Sequence, residues 1–72
     1  MIIINLAQQQ TEAIALLEAY KGGDFTYKFE GKQGIRLKFS VDGDEEAAGR
    51  RAKELIKGES WGTNLYFNVV KG

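Results

Sequence analysis

The sequence predicts an α+β domain, a compact two-layer sandwich in which two helices cover one face of a four-stranded antiparallel sheet. Three observations lead there. Residues 25 to 41 alternate apolar and polar side chains on both sides of a glycine-bracketed turn, residues 6 to 21 and 45 to 57 carry apolar positions at helical spacing, and β-favouring stretches lie near both ends. With 72 residues the chain is expected to form one domain, near the size at which a core stands without staples.

The hairpin carries most of this reading. Phe25, Tyr27 and Phe29 alternate with Thr26, Lys28 and Glu30; after Gly31-Lys32-Gln33-Gly34, Ile35, Leu37, Phe39 and Val41 alternate with Arg36, Lys38 and Ser40. Successive side chains of a strand point to opposite faces, so each strand turns one edge of apolar groups to a core. Gly31 and Gly34 are expected to bracket the turn.

Before the hairpin, Ile2-Ile3-Ile4 is a β-branched run suited to a central strand. Asn5 then suits a helix N-cap, with Gln8 closing a capping box three residues on. The helix predicted over 6 to 21 buries Ala13, Leu16, Leu17 and Tyr20, with Ile14 widening the stripe. It ends at Lys21 and Gly22-Gly23. Gln8-Gln9-Gln10 reads as a solvated first turn, with a recognition surface as the rival reading.

After the hairpin, the acidic run Asp42 to Glu46 suits a helix start, capped by Asp42 with Glu45 or by Asp44 alone. It lacks the ligand spacing of a calcium loop. Glu45 to Lys57 is the second helix, with Ala48, Ala52, Leu55 and Ile56 on one face and Glu46, Arg50 and Glu54 at four-residue intervals on another. Gly49 costs about 1 kcal/mol inside a helix relative to alanine, which a close approach to the sheet or to a neighbouring helix would offset. Gly58 ends the helix, and Trp61 to Val70 is the last strand, with Leu65, Phe67 and Val69 inward.

The order is strand, helix, strand, strand, helix, strand. With right-handed crossovers this is the split βαβ arrangement called ferredoxin-like, βαββαβ, with the first and third strands central and the second and fourth at the edges. A three-stranded α+β fold is the alternative if the first strand fails to pair. The sheet face away from the helices would carry Thr26, Lys28, Glu30, Arg36, Lys38, Ser40, Asn64, Tyr66 and Asn68, with at least one isoleucine of the first strand.

Composition narrows the chemistry. The chain has no cysteine and no histidine, which removes disulfides, thiolate and imidazole metal ligands, and serine or cysteine triads with histidine. The Gly31-Lys32 pair lacks the spacing of a phosphate loop. An enzyme using the carboxylates of Asp42, Asp44 and Glu45 is the weakest reading, because they sit at an exposed helix start and 72 residues leave little room for a cleft. No catalytic activity, cofactor or metal is therefore expected.

Ten basic and ten acidic side chains cancel overall, which argues against strong non-specific binding to nucleic acid while leaving a local basic face. The expected function is that of a small protein-binding module or regulator acting through its open sheet face or an edge strand, with another protein or a second copy as partner. The candidate partner-binding residues are Lys28, Arg36, Lys38, Trp61 and Tyr66. The rival is single-stranded RNA or DNA binding, with Lys28, Arg36 and Lys38 on phosphates and Tyr66 stacking a base. Against each stands a plainer role: Trp61 as a cover for the helical layer, the three cations as soluble guards of the sheet. Met1 to Ile4 is too short for a signal peptide and no run reaches membrane-spanning length, so no membrane partner and a cytoplasmic location are expected.

Overall fold

The computed structural model describes residues 1–20, 23 and 25–72. Six elements follow in the order β1 (Ile2–Leu6), α1 (Gln10–Glu18), β2 (Thr26–Gln33), β3 (Arg36–Asp42), α2 (Glu45–Lys57) and β4 (Phe67–Lys71). The four strands form one antiparallel sheet in the order β2-β3-β1-β4. The first and third strands are central and the second and fourth are edges, as the alternation and crossover rules require.

One side of this sheet is the core. Ile2, Ile4 and Leu6 of β1, Tyr27 of β2, and Leu37 and Phe39 of β3 meet Ala13 and Leu17 of α1 and Ala48, Ala52 and Ile56 of α2 in a single buried cluster. Small alanines at positions 48 and 52 let α2 lie close to the strands. Around the cluster, the rings of Tyr20, Phe25 and Tyr27 lie 5.8 to 5.9 Å apart, and those of Phe29 and Phe39 5.4 Å apart, spacings at which aromatic pairs attract beyond their buried area.

β1 is longer than the isoleucine run, and Asn5 is not a helix cap. It sits in the strand opposite Arg36 on one side and Asn68 on the other, and its amide donates to Asn68 Oδ1 at 2.7 Å. Pairing along both edges of β1 outweighs the local capping preference of one asparagine. α1 consequently starts four residues later than the pattern suggests, at Gln10, after Gln9 in the left-handed region (φ 61°).

The glutamine run does more than meet solvent. Gln10 Nε2 donates to the Leu6 carbonyl at 2.7 Å and the Gly34 carbonyl at 3.0 Å, and its Oε1 accepts from Lys32 Nζ at 3.1 Å. One amide thus joins the end of β1, the start of α1 and the tip of the hairpin. The expected helix end at Lys21 and Gly22 lies outside the described residues; the helix itself ends at Glu18, before them.

The hairpin turn lies three residues beyond Gly31. The strands pair from Thr26↔Asp42 to Gln33↔Arg36, with a bulge between Phe29 and Gly31. The bulge inserts one residue and so reverses the parity of the remainder of β2: Lys32 comes opposite the inward Leu37, facing Gln10. Gly34 then opens the two-residue turn with φ 63°, a value glycine reaches without a Cβ clash. Ile35, expected inward, occupies the second turn position and is half exposed.

α2 has the predicted bounds. Asp44 caps it alone, its Oδ1 accepting from Glu46 N at 3.1 Å, and Gly58 closes it. Gly49 makes the close approach that the sequence suggests: the position of a Cβ there is 3.4 Å from Val69 Cγ1 of β4. The four-residue pairs expected at Glu46, Arg50 and Glu54 do not form; among the described residues the ion pairs are Arg51 with Glu54 and the Met1 ammonium with Glu45.

The last strand starts at Phe67, not Trp61. Residues 58–64 instead turn back over the end of α2, with Gly62 N donating to Glu59 O at 2.9 Å and Thr63 Oγ1 bonding Glu59 O at 3.0 Å. Lys57 Nζ reaches the Leu65 carbonyl at 3.0 Å and lies 5.3 Å from the Phe67 ring centre. Gly62 is buried so tightly that a Cβ would overlap the Ile56 carbonyl oxygen. Local tightness at α2's end therefore decides where β4 begins.

Candidate functional site

Strand register lays out the open face as rows. Gln33, Arg36, Asn5 and Asn68 form one row; Gly31, Lys38, Ile3 and Val70 the next; Lys28 and Ser40 the third; Thr26 and Asp42 the fourth. The structure therefore brings Lys28, Arg36 and Lys38 onto one face, as the period of two predicts. Among the described residues none of the three pairs with a carboxylate. Glu30, at the bulge, accepts from Ser40 Oγ at 2.6 Å beside them.

The middle of this face is apolar and already covered. Ile3 is only 6% exposed, although it points away from the core; Lys38 and Val70 flank it, and Gly72 lies over it, held by Gly72 N donating to Met1 O at 2.9 Å.

Tyr66 and Trp61 part company. Tyr66 is fully exposed in the segment before β4, near Ala7 and Gln8; β1 lies between β4 and the strand that bears Arg36. Trp61 belongs to the turn after α2 and packs against the core, half-buried. It packs on the core side of the sheet and is not part of the open face.

Sequence reasoning missed the ground beside β4. A groove of about 310 Å³ runs between this edge strand and α2, lined among others by Glu46, Gly49, Arg50, Lys53, Val69 and Lys71. Its helical wall recurs at positions 46, 49, 50 and 53, the spacing of one helix stripe, so the polar side of α2 carried the signal. Glu46, Arg50 and Lys53 are exposed and, among the described residues, enter no ion pair. Exposed apolar bulk gathers at the same margin: of the four large apolar side chains that stand out, Tyr66, Val70 and Met1 lie in or beside β4, and only Ile35 lies elsewhere.

The two sheet edges differ. β2 carries the bulge, exposed Lys28 and Lys32, and a main-chain N–H at Phe29 that donates to Glu18 Oε2 at 3.2 Å. Bulges, lysines and side-chain covers are what keep an edge from pairing with another chain. β4 pairs with β1 in unbroken register over five residues and has no bulge; its only charge is Lys71 at the end.

Among the described residues no group of three histidine, cysteine, aspartate or glutamate side chains is placed to hold a metal ion, and no helix is long and apolar enough to cross a membrane. Burial in the core pushes the Tyr27 phenol up to about 12, with Tyr20 adding to the rise and Arg51 and the Ala52 backbone opposing it. No protein-family model, curated protein or solved structure matches the chain.

Proposed function

We propose that the chain is a small non-catalytic protein-binding module, a regulator that docks an extended segment along β4 and the adjoining margin of the open face. The unguarded edge carries this reading. A strand with free main-chain groups and exposed Tyr66 and Val70 beside it supplies hydrogen bonds for affinity and apolar contacts for selection, the two components of recognition by strand addition. The strand order is compatible with the ferredoxin-like arrangement, which supplies such an edge on either side of its sheet. Fold alone assigns no function, and the docking reading rests on the edge.

A second reading, single-stranded RNA or DNA on the open face, is favoured by the cations Lys28, Arg36 and Lys38, which among the described residues pair with no carboxylate. It is the weaker one. The centre of that face is Ile3 beneath Gly72, and the two central rows offer no aromatic ring for a base to stack on.

Amide shifts of the isotopically labelled protein distinguish the two. Titration of the dilute, monomeric chain with extended peptides of alternating apolar and polar residues is expected to move Tyr66 to Lys71, and mixed-sequence single-stranded RNA to move nothing. Salt-weakened shifts at Lys28, Arg36 and Lys38 with RNA, with a silent β4, would instead establish the nucleic-acid reading.

A further inference from the structure

We propose that the strand docking on β4 is the β4 of a second copy, so that two chains form a twofold dimer with a continuous eight-stranded sheet. The inference rests on β4 being a docking edge and names the partner from the geometry of the groove. Val69 is the middle residue of β4, and Gly49 sets α2 directly against it. A twofold axis level with Val69, perpendicular to the sheet and midway between the two strands, pairs β4 antiparallel with its copy, Val69 against the partner's Val69 and Asn68 against the partner's Val70. The same axis lays the two α2 helices side by side and antiparallel.

The exposed stripe of α2 decides in favour of a copy over an unrelated strand. It changes sign along the helix, from Glu46 near the start to Arg50 and Lys53. Seven residues separate Glu46 from Lys53, about 10 Å along a helix, and the midpoint falls between Gly49 and Arg50, over Val69. Reversing the helix about that point brings Glu46 against the partner's Lys53, and symmetry repeats the pair. Arg50 then comes beside the partner's Gly49, where there is no side chain to obstruct it. A stripe of one sign would repel its copy; this one is complementary to itself when reversed. The interface asks for about 600 Å² from each chain, a modest share of the 4475 Å² that one copy exposes.

Sedimentation equilibrium of the full chain and of E46K, K53E and the double variant E46K/K53E tests this, with circular dichroism confirming that each is folded. The wild type is expected to be a dimer, each single exchange to weaken it about tenfold at low salt by setting like charges opposite one another, and the double exchange to restore it. Amide exchange at Phe67 to Lys71 is expected to slow as the dimer forms, while that of β2 stays unchanged. A wild type that is monomeric at every concentration overturns the proposal, as does a dimer indifferent to the single exchanges or not restored by the double one. A monomer whose β4 still takes an extended peptide removes the dimer and keeps the docking edge; a monomer with a silent β4 removes both.

Discussion

The Tyr27 hydroxyl donates to the main-chain carbonyl of Ala48 at 2.5 Å, tying edge strand β2 to the middle of α2 inside the core. Tyr27 is 5% exposed, so its phenol exchanges water for this one acceptor, and ionisation would place a charge in an apolar site. Burial, the largest cause, holds its pKa at about 12 against 10.0 in the unfolded chain. The neutral form is favoured by folding, so this contribution is complete below pH 10 and is lost as the pH climbs from 10 to 12. Two pH units correspond to about 3 kcal/mol at most. Denaturant unfolding from pH 8 to 12 is expected to show a decline above pH 10 that is shallower in Tyr27→Phe. At pH 7 that variant is expected to lose about 1 kcal/mol for the missing hydrogen bond.

Removing the amide of Gln10 releases two carbonyls and one lysine together. Gln10→Ala is expected to cost about 1 to 2 kcal/mol, measured by urea unfolding. Amide exchange is expected to quicken at Leu6, whose N–H donates to the Ile35 carbonyl at 2.8 Å beside the Gln10 side chain. An exposed glutamine without these contacts would cost nothing measurable.

Gly62 and Gly49 are expected to respond in opposite directions. At Gly62 a Cβ meets the main chain of Ile56, which cannot rotate away as a flexible side chain would. Gly62→Ala is expected to cost about 3 kcal/mol, at the upper end of overpacking losses.

At Gly49 the nearest atom is a valine methyl in ordinary contact, and helix propensity favours alanine by about 1 kcal/mol. Gly49→Ala is expected to raise the thermal midpoint of the isolated chain. A fall would show that Val69 has no room to yield.

The legible features are those that depend on short-range period and composition. α2 shows this best: Asp44, the alanines at 48 and 52, and Gly58 each specify their place locally, and the helix has its predicted bounds. The face shared by Lys28, Arg36 and Lys38 comes from alternation alone. Asn5 misleads because its capping preference is local, whereas its two strand partners lie 31 and 63 positions away. The bulge at Gly31 hides the true turn, and with it the exposure of Ile35. Trp61 reads as strand because its own ring favours β structure; the fold-back of Gly62 onto Ile56 is a tertiary contact with no local pattern. The groove beside β4 is illegible for a related reason. Which edge is left bare depends on where the bulge falls and on Glu18 reaching Phe29, and neither is visible before the strands are paired.

The placement of β1 has a kinetic consequence. β2 and β3 meet across a two-residue turn, a closure that local search finds quickly, but Asn5 and Asn68 must find each other across 63 positions. Contacts of such separation are late and slow. Until Phe67 to Lys71 arrives, one flank of Ile2-Ile3-Ile4 has no strand beside it, and an uncharged β-branched run left open during folding is a nucleus for pairing between unfinished chains. The centre of the finished sheet is thus the part of the molecule most exposed to aggregation while the chain is folding.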